Sequence, residues 1–108
     1  MSIKIFCLEK GKTPAVQHAF PVNISREETV GDLKKLIKAE KSVDFARVDP
    51  NNLRLWKVDI SIDDDTVIQA QTLLQDNQLP VADEIEELWT DTPKRRHIHV
   101  IVEVPTGN

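Results

Sequence analysis

Thr29-Val30-Gly31-Asp32-Leu33-Lys34-Lys35-Leu36-Ile37-Lys38-Ala39-Glu40 carries both its own start signal and its own buried stripe. A threonine side chain can accept an unpaired N–H of a first helical turn, so Thr29 suits an N-cap, with Asp32 at the third helical position. Val30, Leu33, Leu36 and Ile37 then recur at helical spacing, while Lys34, Lys35 and Lys38 lie off that stripe. The spacing predicts one amphipathic helix ending near Lys41.

Towards the N-terminus, Ile3 to Leu8 is β-branched and apolar with a single lysine, which predicts a strand with Ile3, Ile5 and Cys7 on one face. Gly11 to Pro14 is a turn signal. His18 to Ile24 reads as a second strand, with Phe20, Val22 and Ile24 in phase. Pro21 has no N–H to give a central ladder, so that strand belongs at an edge or a bulge. The two segments together predict a hairpin.

Towards the C-terminus, Val43 to Asn52 is a polar connection with a turn at Asp49-Pro50-Asn51-Asn52. Leu53 to Ile60 alternates as a strand. Asp63-Asp64-Asp65-Thr66 is an acidic helix start, favoured by the helix dipole, and Val67 to Gln75 is predicted helical, with the segment ended by Pro80. Ala82 to Trp89 suits a short helix with Ile85, Leu88 and Trp89 apolar. The last strand is His97-Ile98-His99-Val100-Ile101-Val102-Glu103-Val104-Pro105. Ile98, Val100, Val102 and Val104 are expected on one face, with His97 and His99 on the other. A hairpin, a helix across it, a third strand, a helical insert and a buried final strand make an α+β chain of β-grasp type. Its mixed sheet would place the last strand parallel to the first.

The chain has 108 residues, which favours one domain with one core. Charged residues make up 30% and the mean hydropathy is -0.34, which places it among soluble globular proteins. The net charge of -4 argues against nucleic acid as a partner, because an acidic surface repels phosphate. One cysteine permits no internal disulfide. No apolar run is long enough to span a membrane, and the start has no recognisable signal peptide.

With these elements placed, the chain resembles the N-terminal header of Crinkler effectors, of the fungal type. Four segments carry the resemblance, the first being the opening strand Ile3-Lys4-Ile5-Phe6-Cys7-Leu8. Val30-Gly31-Asp32-Leu33-Lys34-Lys35-Leu36-Ile37-Lys38 is similar to the family's V-G-D-L-K-x-x-I-K pattern. Leu53-Arg54-Leu55-Trp56-Lys57-Val58 is similar to its L-x-L-F-L-A-K motif, with Trp56, Lys57, Val58 and Asp59 departing from it. His99-Val100-Ile101-Val102-Glu103-Val104-Pro105 is similar to its H-V-L-V-x-x-P boundary motif. The resemblance implies a ubiquitin-like Crinkler header domain over residues 1–105, and residues 106–108 as the start of a linker to a missing C-terminal effector domain. It implies a non-catalytic module that mediates secretion and delivery to host cells, with full-length members acting in the host nucleus. A partner would then be a host or secretion-machinery protein.

The residues offer few competing chemistries. His97 and His99 could approach a metal, but no third ligand is spaced to join them. Cys7 lacks an activating histidine pattern and reads as a small buried hydrophobe. Lys94-Arg95-Arg96 is a short basic cluster that suits a solvated approach to the last strand. No enzyme activity, cofactor or metal is expected. The alternative function is a stand-alone ubiquitin-like interaction module, or a homodimer through an exposed edge such as the Pro21 strand. For either reading Leu53, Arg54, Leu55, Trp56, Lys57 and Val58 are the interaction candidates, and His99, Val100, Val102 and Pro105 mark the domain boundary. Trp56 has two placements: on the outer sheet face as an interface anchor, or buried beneath the 59–92 insert.

Overall fold

The computed structural model describes residues 2–12, 14–43, 45–70 and 78–104. Strand β1 (Ser2–Glu9) runs antiparallel to β2 (Phe20–Ser25), with Ile3 opposite Ile24 and Cys7 opposite Phe20. The hairpin is therefore present, and Gly11 turns it with a φ of 87°. Between its arms sits a four-residue helix, α1 (Ala15–His18). His18 closes this helix rather than opening the second strand, and β2 begins at Phe20.

Helix α2 (Val30–Glu40) follows at once. Thr29 Oγ1 accepts the Asp32 N–H, and the Asp32 carboxylate accepts the Thr29 N–H at 3.1 Å, a complete capping box. Two further N–H groups of the first turn, those of Val30 and Gly31, donate to the carbonyls of Asp83 and Val81 at 2.9 and 3.0 Å. The orphan donors of a helix start are thus shared between a side chain and a distant loop. Thr29→Ala is expected to cost about 1 kcal/mol, read as a lower urea midpoint with unchanged slope.

A 3₁₀ turn (Pro50–Asn52) leads into β3 (Arg54–Ser61), then α3 (Asp65–Ala70), α4 (Ile85–Leu88) and β4 (His97–Glu103). The predicted helix from Val67 to Gln75 thus begins in α3, and its part beyond Ala70 lies outside the described residues. The sheet order is β2-β1-β4-β3, with β4 parallel to β1 and antiparallel to β3. The last strand lies centrally, as its β-branched content requires. β2 is an outer strand, which suits Pro21.

Each face of this sheet is covered. On one side α2 supplies Val30, Leu33 and Ile37, which pack on Ile5, Cys7, Leu55, Val100 and Val102. Phe45, Ile85 and Trp89 complete that cluster, so Phe45 is buried although its surroundings in sequence are polar. Lys34 is also buried, against its expected place off the apolar stripe. Its desolvation draws the ammonium below its ordinary range. On the opposite side Leu8, Ala15, Trp56, Val58, Ile60, Ile68, Ile98 and Ile101 form a second cluster. The short helices α1 and α3 contribute Ala15 and Ile68 to it, and Asp65 ties them together by accepting the Ala15 N–H at 2.9 Å.

One irregularity shapes β4. Lys57 pairs with Val100 and Ile60 with Ile98, so β3 takes three steps where β4 takes two. Side-chain alternation cannot then hold on both strands. It holds on β3, where Trp56, Val58 and Ile60 share a cluster, and breaks on β4 at His99. Ile98, expected beside Val100 and Val102, therefore lies in the opposite cluster.

Candidate interaction strand and boundary strand

The six candidates on and before β3 divide by burial. Leu53 and Leu55 face the α2 side and are 1% and 0% exposed. Trp56 is 5% exposed on the other face, beside Val58. Burial within the chain is thus the placement Trp56 adopts. The exposed anchor is corrected, because α1 and α3 cap the face on which it sits. The chain also covers the main-chain edge here: Leu79 N–H donates to the Leu55 carbonyl at 2.8 Å, and Gln78 bridges Trp56.

Arg54 and Lys57 remain as exposed charged groups of the stretch. Arg54 reaches Glu103 of β4 at 3.4 Å, and Lys10 meets the same carboxylate at 2.9 Å. The Lys10 hydrogen bond is the main reason the Glu103 carboxyl titrates below its usual range. Lys57 donates to the Leu88 carbonyl and lies 5.6 Å over the Trp89 ring. A lysine in place of an apolar residue is thus accommodated by an aromatic ring and a helix C-terminus, where a cation is favoured.

The boundary strand departs further from expectation. His99 is 3% exposed, although alternation places it with His97 on a polar outer face. Its Nδ1 accepts the main-chain N–H of Phe6 at 3.0 Å, and its Nε2 lies 2.8 Å from the Lys94 carbonyl. Those two partners define a neutral ring with the proton on Nε2. Burial pushes its pKa down, partly opposed by the Lys94 carbonyl and by Asp59. His97 turns outward to Asp59 at 2.7 Å. Val100 and Val102 are fully buried in the α2-side core, and Pro105 lies outside the described residues.

Cys7 is fully buried, and desolvation pushes its thiol well up, which removes the thiolate a nucleophile needs. The basic cluster is solvated, with Arg96 near Asp63 and Lys94 near Asp59. A cavity of about 250 Å³ lies between β3 and the loop after α4, bounded by Lys57, Asp59, Trp89, Lys94 and His99. The sequence signal for His99 was its place in the boundary motif. The motif did not show that the ring itself completes the sheet.

A four-stranded mixed sheet crossed by one capped helix, with its first and last strands parallel and central, defines a ubiquitin-like domain. Ubiquitin from Caldiarchaeum subterraneum superposes with a TM-score of 0.58 over 100% of this chain and 99% of that one, at 15% identity. The model of the Crinkler effector protein N-terminal domain matches residues 3–103, and the chain belongs to that family. It is 44% identical over 105 residues to Crinkler effector protein 1 of Rhizophagus irregularis, covering 97% of this chain and 22% of the relative. It is 30% identical over 129 residues to Crinkler effector protein 63 of Phytophthora sojae, covering 97% of this chain and 28% of that protein. The chain thus spans about a quarter of the length of the curated relatives it matches.

Proposed function

We propose that this domain is the non-catalytic N-terminal header of a secreted Crinkler-type effector, and that it directs delivery of an attached C-terminal region into host cells. The match to the family's N-terminal domain from residue 3 to residue 103 carries this reading. The relatives bear the name effector and are several times longer, which fits a domain that addresses a cargo beyond itself. The groups that could have served chemistry are otherwise engaged: Cys7 in the core, His99 in the sheet, His97 with Asp59. Host nuclear entry belongs in this reading to the full-length protein.

The alternative, a partner-binding module, now rests on Arg54 and Lys57 alone among the six β3 candidates. A host or secretion-machinery partner would meet the charged β3 edge or, at the opposite edge of the sheet, the outer β2 strand, rather than an apolar patch.

The test fuses residues 1–108 ahead of a fluorescent reporter in the producing organism or a secretion-competent surrogate. Reporter is quantified outside the producer and inside neighbouring host cells, with reporter alone as control. The expected result is host-cell signal only with residues 1–108 attached. Retention of a fusion whose N-terminal domain is shown to be folded would overturn the delivery reading and favour the partner-binding module.

A further inference from the structure

Three observations meet at His99. The ring occupies the seam between β1 and β4, the central parallel pair of the sheet, one position before the first registered pair, Cys7 with Val100. It stands where a main-chain carbonyl of β4 would ordinarily receive the Phe6 N–H, because alternation on β4 fails there. It is also buried, with its second nitrogen committed to the Lys94 carbonyl. The ring is thus part of the ladder and, among the described residues, the one side-chain acceptor in the β1–β4 ladder, an acceptor that an added proton would abolish.

We propose that His99 is a proton-operated latch on the β1–β4 seam, closed while Nδ1 is an acceptor and released when Nδ1 takes a proton in a mildly acidic compartment. An imidazolium has two N–H donors and no acceptor. Protonation would set an N–H of the ring against the N–H of Phe6 at 3.0 Å, two donors facing one another in the interior. The seam can relieve this only by parting at Phe6 or by turning the ring out towards the cavity beside it.

The surrounding charges set how readily this happens. From β3, Asp59 favours the protonated ring, and Lys57 lines the same cavity. On β4 itself, His97 opposes it. From the loop before β4, the Lys94 carbonyl favours a proton on Nε2, while the Lys94 ammonium and the Asp91 carboxylate line the cavity. From β1 the Phe6 ring lies 6.1 Å away, centroid to centroid. Desolvation outweighs the favourable contacts, so the folded ring binds its proton less readily than the unfolded one.

The sign follows from that direction. The group's folded pKa lies below the unfolded value of 6.5. The closed latch therefore contributes fully above that value, and its contribution is lost as pH falls from there through the folded pKa. Carboxylates such as Asp32 and Glu103 are also held below their ordinary values and act in a lower window. A domain of this kind would hold its sheet closed at neutral pH, loosen in an acidic exterior, and close again on reaching a neutral interior. That use rests on the delivery reading; the latch itself does not.

The test is residue-resolved NMR on residues 1–108 between about pH 7.5 and about pH 5. Ring nitrogen shifts report the tautomer of His99, and amide hydrogen exchange corrected for intrinsic rate reports the seam. The expected result is a neutral Nε2–H ring at the upper end, and a roughly ten-fold loss of Phe6 protection at the lower end that tracks protonation of His99. His99→Asn retains an acceptor near the Nδ1 position but cannot titrate, so its Phe6 protection should be independent of pH. Should that variant not fold, the wild-type measurement decides alone. An Nδ1–H tautomer at neutral pH, or Phe6 protection that stays constant while His99 titrates, would overturn the latch. Neither outcome depends on whether the domain delivers cargo.

Discussion

Replacing Trp56 with alanine is expected to destabilise the domain by about 3–5 kcal/mol, the cost of emptying an aromatic-sized space in a packed core. The indole is 5% exposed and shares its cluster with Leu8, Ile68, Ile98 and Ile101. These neighbours come from β1, α3 and β4, so no single segment can collapse into the space. A urea titration should show a much lower midpoint with little change in slope. Arg54→Ala, by contrast, should stay within about 0.5 kcal/mol, since its partner Glu103 keeps Lys10 and the pair is solvent-exposed. A loss below about 1 kcal/mol for Trp56→Ala would mean that α1 and α3 do not seal this face. Any delivery defect in that variant would therefore report unfolding first, and surface charge changes at Arg54 and Lys57 are the sounder probes of recognition.

The second large effect concerns Cys7. Its reaction with a disulfide reagent is expected to be slower in the folded domain than in the denatured chain by roughly three orders of magnitude or more. The thiol is fully buried between the sheet and α2, and reagent can reach it only through opening. Raising the pH to about 9 should rescue little, because burial has moved the thiol's ionisation well above that of a free cysteine. Labelling at the rate of an exposed thiol would show that β1 separates readily from its neighbours.

Helix α2 was legible because its cap, its stripe and its start are all local to a dozen residues. β1 and β4 were legible from β-branched content, and β2 from the phase of Phe20, Val22 and Ile24, with its edge place marked by Pro21. What the residues did not disclose has physical causes. α1 is too short to show a period, so His18 merges in sequence with the neighbouring strand. Lys34 can bury its aliphatic stem while its charge alone marks it as exposed in a sequence reading. The place of Ile98 and His99 depends on a bulge between two strands, and strict alternation assumes that none exists. Trp56 posed a different problem: alternation assigned it to the correct face, but whether that face was covered depended on the tertiary position of Ile68 and Ala15.

The parallel pairing of β1 with β4 has a mechanical consequence. The chain enters the sheet at one end of β1 and leaves β4 at the opposite end, since Cys7, Leu8 and Glu9 run alongside Val100, Ile101 and Val102 in the same direction. Tension applied between the two ends of the domain would therefore act along both strands in opposite senses. The ladder would be loaded in shear, with its hydrogen bonds, the Lys10 N–H bond to the Val102 carbonyl and the Lys10–Glu103 ion pair all resisting together. Peeling β2 from its outer edge would break bonds one at a time and ask far less force. A machine that threads this domain through a pore by drawing on the segment after β4, while β1 is held, would meet the sheet in its strongest direction.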